Sequence, residues 1–426
     1  MIPLSTNAPT SHTPSPPSAG VTHRDFIVLW AGQTFSVFGS AVSVLALPSV
    51  AILLLQATPL QLGILEALAY AAFPVLGLFV GVLADRTARR RVMILADLGR
   101  AAALGSIPVA AAAHVLGFTQ LAIVALVTGI GSVFFDVCYQ SYLPSLVAKG
   151  ELSRANARLE FTRSAAEVGG NGLAGLLIAG IGAASAVAVD ALSFVVSVTS
   201  LLAIRTREAP AVRENGATAT VFGDLRAGVA CVLESPVLRT IAACTATSNL
   251  GSSMLSAVLL IFAYRNLHLH AATLGLVFAL ANVGFVGAAL ATRSTRRFGL
   301  GATLAGSILL AGVAPLFLPL ALHVAPIAVI FIVTLVQTVT TPIYNINQVS
   351  LRQTIVPQEL QGRMNATMRT IVWGTMPLGA LIGGVLGTAL GIVPTIFVAG
   401  TITSSACLWI LCGPARRLRT IESASP

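Results

Sequence analysis

Six acidic side chains, Glu66, Asp97, Asp136, Glu160, Glu167 and Asp190, lie within or beside long apolar stretches of this 426-residue chain. An acid is costly there unless it is paired or takes part in function. A carboxyl group held in a low-dielectric site is pushed toward titration near neutral pH, as carrying a proton requires. All of these acids fall in the first half of the chain. The apolar segments of the second half offer neutral groups instead, among them Asn249, Asn282, Gln337, Asn345 and Asn347. Proton chemistry is therefore expected in the first half, and uncharged hydrogen bonding to a bound small molecule in the second. Glu66 leads as the titrating acid open to that molecule, with Asp136 and Glu167 as further proton-coupling candidates. Spacing gives other acids structural roles. Asp97 and Arg100 stand three apart on one helical face, and Arg163 and Glu167 stand four apart, so both pairs are expected to associate. Asp190 is expected to fix the outer end of its helix. Gln33, Ser36, Asn249, Asn282 and Gln337 are candidates for touching the bound molecule, although such a residue taken alone more often serves as a helix–helix hydrogen bond.

Other chemistries leave no trace. The chain has no Gly-rich phosphate loop ending in Lys-Ser/Thr, no His-Glu-x-x-His and no Cys-x-x-Cys, so neither ATP hydrolysis nor a metal or other cofactor is expected. Cys138, Cys231, Cys244, Cys407 and Cys412 lack metal-ligand spacing and read as packing residues.

The elements that must hold these residues follow from composition. Hydrophobic residues make up 56% of the chain and charged residues 9%, with mean hydropathy +0.88. Soluble domains carry about 25% charged residues. Most of this surface must therefore face lipid. Apolar stretches near 28–55, 60–84, 92–113, 119–143, 160–181 and 184–204, then 237–263, 272–292, 301–322, 326–348, 367–390 and 393–413, each reach crossing length. A crossing needs about 20 residues, so the chain reads as an all-α integral membrane protein of about twelve helices in two six-helix bundles. The alternating ten-residue pattern of a membrane barrel is absent.

A net charge of +10 would suit nucleic acid, but the arginines punctuate apolar runs instead of forming a patch. With the N-terminus in the cytoplasm, Arg86, Arg89, Arg90, Arg91, Arg293, Arg296, Arg297, Arg416 and Arg417 all fall on the cytoplasmic side, and Arg265 falls outside. That obeys the positive-inside rule with both termini cytoplasmic, in the plasma membrane, and leaves no role for nucleic acid. The expected organisation is a disordered tail (1–23), a first bundle (24–204), a cytoplasmic linker (205–236), a second bundle (237–413) and a tail (414–426). Within the linker, Phe222, Leu225, Val229, Val232 and Leu233 share a helical face, as in an amphipathic helix lying on the membrane surface.

The halves repeat. ELSRANA at 151–157 matches ELQGRMNA at 359–366, and at an offset of 209 residues Asn156 meets Asn365, Gly170 meets Gly379, Gly175 meets Gly384 and Gly182 meets Gly391. A six-crossing repeat keeps its orientation, so the axis relating the halves runs along the membrane normal.

Between the second and third stretches the chain reads Gly81-Val-Leu-Ala-Asp85-Arg86-Thr-Ala-Arg89-Arg90-Arg91. This resembles the signature loop of the major facilitator superfamily, with Ala88 in place of the usual glycine. FDVCYQSYLPSLV, SLRQTIVP and GRMNATMR resemble its twelve-span exporters of drugs, macrolides and siderophores. In the fifth stretch, the exporters' G-P-x-x-G-G becomes Gly170-Asn171-Gly172-Leu173-Ala174-Gly175, without the proline. The resemblance implies a gate in which Gly81 permits close helix approach, Asp85 caps the eleventh helix, Arg86 flanks it, and Arg89 pairs with an acid of the fourth helix, Asp136 here. It also implies a monomeric carrier of small-molecule cargo driven by protons. Export of amphipathic molecules stands beside uptake of a small metabolite, and beside a non-transporting membrane sensor.

Overall fold

The computed structural model describes residues 23–206, 221–284 and 290–420. Residues 1–22, 207–220 and 421–426, parts of the expected tails (1–23 and 414–426) and linker (205–236), lie outside it, as do the side chains of 23, 78–79, 81–86, 149, 221–227, 292 and 359.

The first half is built from α1 (His23–Leu53), α2 (Pro59–Arg86), α3 (Arg89–Ala112), α4 (Phe118–Leu146), α5 (Leu152–Ile181) and α6 (Ala183–Ala203). After the linker come α7 (Val221–Glu234), α8 (Pro236–Ile261), α9 (Ala271–Asn282), α10 (Leu290–Phe298) and α11 (Leu300–Val313). A 3₁₀ stretch, Ala314–Leu322, extends α11, followed by α12 (Pro326–Ile355), α13 (Gln358–Ala389), α14 (Ile392–Ser405) and α15 (Cys407–Cys412). Among the described residues, eleven helical segments are long and apolar enough to cross a bilayer. The further crossing expected at 272–292 runs along α9 and into α10, with 285–289 between them undescribed.

Local chemistry sets the helix ends. Thr58 and Gln61 form a reciprocal capping box that starts α2, with Pro59 in its first turn. The Ser235 side chain caps α8 by accepting from the Leu238 N–H, followed by Pro236. Prolines inside α1, α2, α4, α12 and α13 (Pro48, Pro74, Pro144, Pro342, Pro377) are tolerated where neighbouring helices pack around the freed backbone.

Packing repeats with the sequence. In the first half α1 lies against α5 and α6, α2 against α4, and α3 against α4 and α6; in the second, α8 lies against α13 and α14, α9 against α12, and α11 against α12 and α14. The backbone repeats too. Gly182 (φ 85°) and Gly391 (φ 93°) each open the last crossing of their half. Ala88 takes φ −67°, a conformation open to any residue, whereas its counterpart Gly299 takes φ 83°. The local turn at Ala88 thus has no need of the glycine that the signature loop usually carries.

The first and last described residues lie at one end of the bundle, termed the terminal end. There the Asp25 carboxylate accepts hydrogen bonds from the backbone N–H groups of Arg205 (3.2 Å) and Thr206 (2.8 Å), tying α1 to the exit of α6. Arg89 donates to the carbonyl of Ser141 (3.0 Å) and Arg90 to that of Leu202 (2.9 Å), so these arginines satisfy carbonyls near the ends of α4 and α6. The carbonyls of Leu418 and Arg419 accept from the first N–H groups of α11.

α7 forms where the amphipathic pattern placed it, but its buried face is directed at protein. Val232 is buried in a core with Leu238, Met364 and Met368, and Gly228 sits against Thr367 and the Arg363 carbonyl of α13. Leu233, assigned to the apolar face by spacing, is exposed.

Candidate functional site

The two halves meet chiefly through α2 against α13 and α5 against α9. Glycines let these pairs approach closely. A Cβ on Gly175 would lie 2.7 Å from Gly275 Cα, and one on Gly384 would lie 3.1 Å from Gly63 Cα. Several hydrogen bonds join the halves at the far end, opposite the termini, or at mid-bundle. Ser49 meets Tyr264 (2.8 Å), Arg265 donates to the carbonyl of Ala57 (2.9 Å), the N–H of Leu60 donates to Thr388 (3.0 Å), and Asn282 donates to the backbone carbonyl of Glu167.

Beneath this closed far end, between the halves, lies a cavity of about 330 Å³. Its walls come from α1, α2 and α5 on one side and α8 and α9 on the other. Leu45, Leu62, Leu65, Leu260 and Phe278 make it largely apolar, and Ser43, Tyr70, Asn171 and Ser256 add neutral polar groups. Among the described residues Glu66 is its one carboxylate, and the Ser256 hydroxyl approaches it from the opposite half. A mostly apolar chamber with a few convergent polar groups is the form small-molecule sites take.

The other sequence candidates lie elsewhere. Gln33 and Ser36 are buried in α1, and the Gln33 amide nitrogen has no partner among the described residues. Asn249 donates to the carbonyl of Val372, and Gln337 reaches the carbonyl of Ala311 at 3.5 Å, so both link neighbouring helices of the second half. None of these, nor Asn282, lines the cavity. Conversely, Ser43, Tyr70 and Ser256 carry no motif and emerge only from the packing.

The remaining acids form a second centre within the first half. Arg100 pairs with Asp97, both buried, and its guanidinium lies over the rings of Phe194 (4.1 Å) and Phe135 (4.8 Å). Asp136 and Asp190 both lie within the field of Arg100. Asp190 is buried about two turns inside α6, where it accepts a hydrogen bond from Ser193 of the same helix (3.1 Å) and faces Gly39 of α1, so it lies in the interior of the bundle and does not sit at the outer helix end. Asp136 also feels Arg369 of α13, which stacks on Phe73 of α2 (4.5 Å) and on Trp373 (5.5 Å). Glu167 pairs with Arg163 at 3.3 Å on an exposed stretch of α5. Of the signature loop, the side chains of Gly81, Asp85 and Arg86 lie outside the described residues.

Comparison with known proteins places this geometry among transporters. A profile of the family described as transmembrane secretion effector matches residues 15–425. The chain is 27% identical to the multidrug efflux pump Tap of Mycolicibacterium fortuitum, over 94% of this chain and 97% of that protein. It is also 27% identical to macrolide efflux protein A of Streptococcus pyogenes, over 42% of this chain and 44% of that one. A bacterial homolog of the human lysosomal transporter Spinster, solved in an inward-facing, unoccupied conformation, superposes with a TM-score of 0.69 at 14% identity, covering 93% of this chain and 96% of that one.

Proposed function

This chain belongs to the transmembrane secretion effector family of the major facilitator superfamily, and we propose that it exports amphipathic small molecules in exchange for protons. It is a multi-pass membrane transporter and not an enzyme. The observation that carries the finer reading is the cavity between the halves, with the Glu66 carboxylate in its wall. Its apolar walls suit an apolar body, and its few polar groups suit a molecule that also carries polar atoms. The volume falls within the range of about 300–1,000 Å³ typical of small-molecule sites. Glu66 is the proton-coupling residue in this reading: protonated, it leaves the cavity neutral; ionised, it offers the cargo a charge.

The terminal end is cytoplasmic, because Arg89, Arg90, Arg293, Arg296, Arg416 and Arg417 cluster there while Arg265 stands at the far end. With the far end shut, the cavity is reached from the cytoplasm, the side from which an exporter loads. Rocking of the halves about the cavity then gives alternating access. The gate of Gly81, Asp85, Arg86 and Arg89 lies at the cytoplasmic face, where it closes when the far end opens. Export is also the activity named for the Tap and macrolide relatives.

The decisive experiment reconstitutes the protein in sealed vesicles and imposes a pH gradient. A fluorescent amphipathic dye should move against its own gradient, with protons moving the opposite way. Dye movement indifferent to the pH gradient would exclude proton exchange, and dye entering the cell side by preference would exclude export.

A further inference from the structure

At the far end, α8 does not finish as an α-helix. Residues Phe262–Asn266 form a π turn, closed by the Leu267 N–H donating to the Phe262 carbonyl (3.1 Å). Such turns are rare and gather at functional positions. The two residues in its middle both act on the other half of the protein. The Ser49 hydroxyl spends its one hydrogen on the carbonyl of Leu45 (2.7 Å), so the Tyr264 hydroxyl must be the donor in their 2.8 Å bond. Both side chains are buried, and Tyr264 therefore has this acceptor only while the halves touch. Arg265 donates to the carbonyl of Ala57 in the linker that follows α1, where Gln56 holds φ 51° and turns the chain. Consecutive residues of an α-helix point about 100° apart. The wider π turn lets Tyr264 and Arg265 reach the same neighbour, one the helix and the other the linker leaving it.

We propose that Tyr264 and Arg265, presented by the π turn at 262–266, are the latch that holds the far end shut over the cavity, with Ser49 and the Ala57 carbonyl as its catch. These are positioning residues: they lie outside the cavity lining and set the balance between far-closed and far-open states. The latch rests on the alternating-access reading above, but not on the identity of the cargo or of the coupling ion.

The test measures distance across the far end, using spin labels on non-natural amino acids at Val115 and Val324, which are 72% and 62% exposed in the far-end linkers of the two halves. In lipid nanodiscs, wild-type protein should show a short population and a longer one. Tyr264→Phe and Ser49→Ala should each raise the long-to-short ratio roughly fivefold, the factor corresponding to one net hydrogen bond. Combining them should raise it no further, because both remove the same bond. Arg265→Gln should add its own increase on top of either. Tyr264→Phe removes only the hydroxyl and keeps the ring, which guards against a simple folding defect. If the wild type shows two populations and all three variants match it, the latch is overturned while alternating access stands. Multiplying effects of Tyr264→Phe and Ser49→Ala would also overturn it, as two separate packing losses. A wild type with one short distance under every condition would remove alternating access and the latch together.

Discussion

Gly63 of α2 and Gly384 of α13 face each other across the boundary between the halves, so closely that a Cβ on Gly63 would stand 3.0 Å from the Cα of Gly384 and 2.4 Å from the carbonyl oxygen of Ala380. Both obstacles are backbone, which has no rotamer to yield. The far end can shut in this geometry only because neither position carries a side chain.

Gly63→Val should therefore keep the far end from closing. Overpacking costs about 1–3 kcal/mol, enough to reverse a modest preference between two states. The protein should still insert in the membrane, with the Val115–Val324 distance shifted to its longer value and transport lost. Normal transport by this variant would mean that closure does not need the contact.

Glu66→Gln keeps the size and hydrogen bonding of the side chain at the cavity wall but cannot exchange a proton. Flux driven by a pH gradient should fall to the level of empty vesicles, and equilibrium binding of a neutral cargo should change little. Counterflow of cargo without a proton gradient should persist. Undiminished pH-driven flux would move coupling to another acid, of which Asp136 and Glu167 are the remaining candidates.

Asp97→Ala should leave the Arg100 guanidinium buried without its paired carboxylate, beside Phe194, Phe135 and a long bond to Ser132 (3.4 Å), with Asp136 and Asp190 as the remaining acids in its field. Removing one partner of a buried pair costs about 3–5 kcal/mol, whereas replacing both by apolar residues of similar size can be neutral. Thermal unfolding in detergent should thus show a larger loss for Asp97→Ala than for the double variant Asp97→Leu, Arg100→Met. The reverse order would show that the pair stabilises beyond its own burial.

Gly182 and Gly391 occupy the same unusual backbone region, with ψ 157° and 168° beside their positive φ. Side chains there cost about 1–3 kcal/mol. Alanine at either position should lower stability by that order, and the two losses should add, since the turns serve different bundles. Unfolding curves of the single and double variants check this.

Membrane-impermeant labelling checks the orientation. A cysteine-reactive reagent added to intact cells should reach a probe at His268 and fail to reach one at Arg296. Labelling of both from one side would dismiss the proposed topology.

The repeat was plain in the sequence because backbone turns need particular residues: Gly182 and Gly391 are spaced as the repeat requires and adopt matching conformations. The i,i+3 pair Asp97–Arg100 and the i,i+4 pair Arg163–Glu167 were legible for a similar reason, since each depends on a single helix. Partners on different helices were not. Asn249 and Gln337 could be read as touching cargo or as linking helices, and they link helices here, while Ser256 and Tyr70 gave no signal and line the cavity.

The amino-acid sequence by itself determined that the chain crosses a membrane as two like bundles of helices, because apolar length and turn chemistry are local properties. Only the tertiary structure decided which polar side chains face Glu66, that Tyr264 meets Ser49, and that α7 packs on α13. In a bilayer, the lipid-facing and protein-facing sides of a helix are both apolar, so hydrophobic pattern no longer reports which side turns inward. The rotation of each helix is fixed instead by close contacts such as Gly63 on Gly384, which exist only once the bundles have packed.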